Sequence, residues 1–295
     1  MELTRRFIFN GHASAIGGRI VRTGHGKTAK LIKDGFIDVP AAALGIAGGR
    51  SSAVVRGGQV SGFLQWGGGI TRAEGVFDDL KGQFGLTQGQ GQEDQLSTTT
   101  VVRAELRELA IGIRPQLMIE RLKGSLIAKG RYGSSETGVQ IGKDTAIEGV
   151  TIDGKYRLRI DLKTSPFCEH DTLSKVLAAA DEPTFVRKHG DGLFMRTAFD
   201  QQPKPPASGR LILGGTGLLI HATIVRSIRW VGKPYPGARI DGNTLTIPGI
   251  GKLSFGELLL ERGRRRLTMI RGNLGSPDGG FMCSVDVQDG GSWSI

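Results

Sequence analysis

Cysteine is almost missing from this sequence. Cys168 and Cys283 are the only two in 295 residues, too few for the disulfide framework that holds small secreted domains together. Two unpaired thiols suit the count better than one long-range bridge, and they lean toward a reducing compartment. Long apolar runs are missing too. No uncharged stretch is longer than Leu211 to Val225 ("LILGGTGLLIHATIV"), which is shorter than a bilayer-spanning helix and is interrupted by glycines and a histidine. No membrane span is expected. At the start, Arg5 and Arg6 precede Phe7-Ile8-Phe9, but Asn10, Gly11 and His12 break the run. A signal peptide needs about 7 to 15 apolar residues there, so a cytoplasmic location is expected.

Helical pattern is scarce. One segment has it: in "HDTLSKVLAAADEP", Asp171 or Thr172 can cap, Leu173, Val176, Leu177 and Ala180 share a face, and Pro183 stops the helix. A weaker helical pattern covers Ala73–Gly82. Glycine is abundant instead, with 47 residues, about twice the usual share. The glycines cluster between apolar runs, which favours short strands and tight turns.

Alternation dominates the rest. In "TTTVVRAELRELAIG", Val102, Ala104 and Leu106 fall on one side and Arg103, Glu105 and Arg107 on the other, the period of a half-buried strand. The stretch after Pro115, "QLMIERLKGSLIAKG", is expected to pair back on it. Asp153-Gly154 marks a hairpin, and Asp34-Gly35 and Asp241-Gly242 read the same way. The fold class expected is all-β: a large antiparallel sandwich or packed sheets with tight glycine turns and one short helix at about 172–180. The main β domain covers 1–200. The proline-rich stretch 201–208 is a linker or long loop, and 209–295 is a basic β region that can join the same sheets.

Most of the familiar catalytic signatures are absent. "GHGKT" (Gly24–Thr28) ends like a phosphate-binding loop, but Val21 stands where its first glycine belongs. Read as Gly24, Gly26 and Ala29 it resembles a dinucleotide fingerprint, yet no helix pattern follows. It is expected to be a turn with His25 and Lys27 exposed and no helix starting at Thr28, so no nucleotide cofactor is implied. There is no G-x-S-x-G elbow. Cys168, Glu169 and His170, with Asp171, pack four reactive groups together, and they are the only catalytic candidates. A zinc site would need partners that Cys283, His12, His25, His189 and His221 do not supply in spacing. No metal and no cofactor is expected. Asp78-Asp79 and Glu93-Asp94 read as solvated surface.

Acids are scarce near the end of the chain. From Arg210 to Arg271 eleven Lys or Arg stand against three acids, a surplus of eight within a formal net charge of +11. In "LLLERGRRRLTMIRGNL", a five-residue turn over Arg262–Arg266 would pair Leu258 with Ile270 and set Glu257 opposite Arg271. Arg262, Arg264, Arg265 and Arg266 would then crowd a hairpin tip, with Lys252, Arg229 and Arg239 as neighbours, a candidate polyanion contact. The expected function is a non-catalytic structural or binding β protein that associates with its own copies or with a larger assembly. Two alternatives stand beside it: polyanion binding (nucleic acid or acidic polysaccharide), and an enzyme built around Cys168, Glu169 and His170.

Overall fold

The computed structural model describes residues 9–23, 31–60, 62–78, 97–131, 136–180, 219–261, 264–273 and 280–288. Within them strands alternate in inward and outward side chains, and every ladder is antiparallel. The first strands are β1 (His12–Thr23), β2 (Leu31–Ile37), β3 (Ala42–Ala43), β4 (Gly49–Val60) and β5 (Leu64–Asp78). The long hairpin of β6 (Ser97–Ile111) and β7 (Leu117–Arg131) follows, then β8 (Gly138–Ile141), β9 (Ala146–Ile152) and β10 (Tyr156–Leu162). Two short helices come next, α1 (Ser165–Glu169) and α2 (Leu173–Ala180). After them come β11 (Leu219–Thr223), β12 (Val225–Val231), β13 (Arg239–Asp241) and β14 (Thr244–Ile247). The last strands are β15 (Gly251–Glu261), β16 (Arg264–Asn273) and β17 (Gly280–Gln288).

Two sheets result. One runs β13-β14-β15-β16-β17-β1-β2, with β11 also on β15 and β3 on β1; the other runs β12-β10-β9-β7-β6-β5-β4, with β8 on β7. They stack face to face, β16 and β17 over β7 and β6, and β1 over β5 and β6. Val102, Ala104 and Leu106 point into the core as the alternation requires, and Leu253, Phe255, Leu258 and Leu267 meet them from the other sheet. Late strands pair with early ones: β17 with β1, and β12 with β10.

β15 is longer than either neighbour on its outer edge. β14 takes residues 251–254 and β11 takes 257–261. At the gap the chain turns from β11 in one sheet into β12 in the other. Ile224 donates its N–H to the Gly256 carbonyl and accepts from Lys163 N–H, tying both sheets to one residue. The Thr223 hydroxyl bonds to the Gly256 carbonyl at 3.0 Å, and Asn243 Nδ2 donates to the Phe255 carbonyl at 2.8 Å. Gly256 has φ +57, and a Cβ there would lie 2.8 Å from Ile224 Cγ1.

The helices plug one end. Thr172 caps α2 by accepting the Lys175 N–H at 3.2 Å, and Leu173 and Val176 are buried. α1 is an element that periodicity does not announce: five residues are too few for a period, and Phe167 holds it down in the core. Arg265 reaches the plug from β16. Its guanidinium donates to the carbonyls of Val139, Phe167 and His170, the last two at 3.0 Å. It is 3% exposed, and burial pushes its pKa down to about 10, with Asp171 opposing the shift. It stays charged at neutral pH.

Several expectations are corrected. Asp34-Gly35 is not a turn. It lies inside β2, opposite Val21 and Ile20 of β1, because a long ladder outweighs a local turn preference. Ala73–Asp78 belongs to β5 and not to a helix. The five-residue turn is too long: Glu261 pairs with Arg264 and Leu258 with Leu267. Glu257 stands opposite Thr268, yet it still takes Arg271 in a two-pronged bond at 2.6 Å. "GHGKT" and the stretch 201–208 lie outside the described residues. The strands that flank the former are antiparallel, with Thr23 opposite Leu31.

Gly256→Ala should cost about 2–4 kcal/mol, from left-handed strain plus overpacking at the corner; the shift of a urea unfolding midpoint measures it. Arg265→Met, which leaves three carbonyls without a donor, should cost about 3 kcal/mol and release the plug, read as faster proteolysis between α1 and α2.

Candidate functional site

The corner at Ile224 closes one flank of the sandwich. The other flank ends in β2 and β4, and among the described residues β4 pairs only with β5. β4 is twelve residues long, without proline or lysine, the residues that usually blunt such an edge. Arg50, Ser52, Val54 and Arg56 point outward from it, with Val54 70% exposed. Phe36 of β2 (71%) and Ile46 before β4 (75%) add apolar surface to this flank. The Arg50–Glu74 ion pair at 2.6 Å is too exposed to cover the edge.

Next to the edge the sheet carries a crease. Along β6 the buried positions run 102, 104, 106 and then 109, 111; along β7 they run 117, 119 and then 122. Both strands change phase at one level, and β5 and β9 change there too. The ladders place Gly57, Gly67, Glu108, Glu120 and Gly149 in one row across five strands. Glu108 has φ +52 and Gly149 φ +65, which absorb the phase change. Glu108 lies over Gly67 and Glu120 over Gly149, in space that a Cβ would fill. Trp66 spans Gly58, its indole N–H bonded to the Arg56 carbonyl at 2.9 Å. Along one side of the crease an open groove of about 570 Å³ crosses from β4 to the start of β7, with Gln59, Gln65, Gln116, Glu108 and Met118 on its walls.

Beyond the crease an ion ladder covers β6, β7 and β9. Glu105 accepts from Arg107 Nε at 2.8 Å and from Arg121 Nη2 at 3.3 Å, and Lys123 pairs with Asp144 at 2.9 Å. Burial pushes the Glu105 carboxyl up, but Arg107 and Arg121 outweigh it and hold it below the usual range. Asp144 is the same: burial raises it, and Lys123 and Arg103 bring it net down.

The residues singled out in the sequence do not meet in one place. Cys168 and Glu169 lie on α1 and His170 at its end. The Cys168 thiol donates to the Ile141 carbonyl at 3.4 Å, Glu169 is exposed, and the His170 carbonyl serves Arg265. Among the described residues no group of three or more His, Cys, Asp or Glu side chains is placed to hold a metal ion. Of the arginine group, Arg262 lies outside the described residues and Arg264 forms the closing pair of its hairpin. Arg265 is corrected from an exposed tip to a buried pin, because both halves of its hairpin are core strands. Arg266 faces Leu259 and Asp286 in the ladder. Lys252 and Arg239 flank Thr246 across three strands of one sheet, while Arg229 sits on β12 of the other, bound to Asp161 at 2.7 Å. Sequence reasoning misses the β4 edge. The alternation of "RSSAVVR" marks a strand but not its place at an edge.

No protein-family model matches this chain, and no curated protein or solved structure gives a significant match. No helix among the described residues is long and apolar enough to cross a membrane.

Because the folded carboxyls of Glu105 and Asp144 titrate below their unfolded values, their contribution is complete at neutral pH and fades as pH falls through about 4. Glu105→Gln should be about 2 kcal/mol less stable than the parent at pH 7. The gap should narrow below pH ~4 in urea titrations.

Proposed function

We propose that this chain is a non-catalytic β-sandwich that associates with copies of itself through β4. The observation that carries this reading is the twelve-residue edge of β4, with an outward valine at its centre and no covering strand among the described residues. Edge pairing supplies backbone hydrogen bonds, and an antiparallel strand can pair with its own copy about a twofold axis.

The sequence of β4 selects the register. Outward residues must face outward ones. An axis at Ala53 sets Arg50 against Arg56, and an axis at Arg56 sets that arginine against itself, both unfavourable. An axis at Val55 leaves Val54 against Arg56. The axis at Val54 brings Val54 onto its own copy and Ser52 onto Arg56. Burying the two valines contributes about 3 kcal/mol, at about 1.5 kcal/mol each, beside the backbone bonds.

The test is a Val54→Cys variant under mild oxidation. Residues directly opposite in an antiparallel pair have Cα atoms about 4.5–5.5 Å apart, within disulfide reach. A disulfide-linked dimer should form from Val54→Cys and not from Ser52→Cys or the parent. In light scattering the parent should run as a dimer or larger and Val54→Arg as a monomer. A monomeric parent, together with no cross-linked dimer from Val54→Cys, would refute the proposal.

A further inference from the structure

On the far flank, where β12 is the outermost strand of its sheet among the described residues, β10 and β12 present a row of guanidiniums. Arg159 stands directly opposite Arg229, and Arg157 opposite Val231. Two like charges facing each other across a ladder are destabilising unless a third group holds them. That group is Asp161. It accepts from Arg159 Nε at 2.8 Å, from Arg229 Nη2 at 2.7 Å and from the Ser227 hydroxyl at 3.1 Å.

One carboxylate therefore orients two arginines, whose side chains remain 65% and 58% exposed. Each guanidinium has further N–H donors beyond the one bonded to Asp161. Arg226, the extra residue where the β10–β12 register shifts, is exposed at one end of the row. Lys155 and Lys233 are exposed at the other. Asp161 is the only acid in β10 and β12. Against it these two strands carry Arg157, Arg159, Arg226 and Arg229, a surplus of three positive charges.

From these residues we infer that the β10–β12 face binds the phosphate backbone of a single-stranded nucleic acid. The planar fork of arginine suits two oxygens of one phosphate, and four of the six cations are arginines. The row is two strands wide, about 10 Å, and about 20 Å long at 3.3 Å per residue, a track for one backbone. Among the described residues the only aromatic in β12, Trp230, is partly buried against the core, and Tyr156 and Tyr235 pack edge to face on each other. Base stacking is therefore not provided, and binding is indifferent to sequence. The site lies apart from the β4 edge and does not rest on self-association.

The test is fluorescence anisotropy with a labelled 20-residue oligothymidine across a salt series. Neutralising about three phosphates gives a log–log slope of affinity against salt near −2, since each contributes about −0.7. The double variant R159Q/R229Q should flatten that slope by about 1.4 and weaken binding at least tenfold at low salt. R157Q should flatten it by about half as much, and R239Q, on the other sheet, should leave it unchanged. Cooperative melting of each variant verifies the fold. Binding that R159Q/R229Q leaves unaltered would overturn the inference, as would retention on heparin without any oligothymidine binding.

Discussion

The sandwich depends on one junction, where β11, β14 and β15 meet. A strand with a continuous neighbour on each side has no place for the chain to leave the sheet. β15 provides one by dividing its outer edge between two short partners, and Gly256 supplies the left-handed turn and the missing side chain at the division. Ile224 then carries the chain across, bonded to one sheet through its N–H and to the other through its carbonyl. The two flanks of the molecule differ for this reason. On one the chain passes from sheet to sheet through Ile224, and on the other the outer edge of β4 has no strand beside it among the described residues.

Much of this architecture can be read from the residues. The alternation of Val102, Ala104 and Leu106 and the capping residue at Thr172 act locally, so local pattern finds them. What escapes is set by distant partners. Asp34-Gly35 has turn chemistry, but its ladder with β1 overrides it. Periodicity also misplaces residues at the crease, where two successive residues of each strand face outward and the phase resets. The β4 edge is illegible for a plainer reason: whether a strand is central or outermost depends on sheet order, and no short stretch encodes that.

Arginine shows most clearly how little the count of a residue type says about its work. Arg265 is buried and serves three carbonyls; Arg107 and Arg121 hold a largely buried acid on the outer face; Arg159 and Arg229 share an acid and keep their charge outward. Charge density in the sequence directs attention to "RGRRR", where one arginine is consumed by the core. The alternating "YRLRID" carries less charge, yet it presents that charge in a fixed array. Burial and counter-ions, more than number, decide which arginines remain available.

The crease gives the glycine excess a meaning beyond turns. Gly57, Gly67 and Gly149 sit inside strands, Gly57 against the backbone of Gly67 and the other two beneath the side chains of Glu108 and Glu120. Each acid and the glycine under it occupy one shared volume, so neither position is independent. A larger residue at Gly67 requires a smaller one at residue 108, while Gly149 is held to glycine by its φ of +65 as well as by Glu120. Across generations this belt should change in couples or not at all, a covariation that spans strands far apart in the chain.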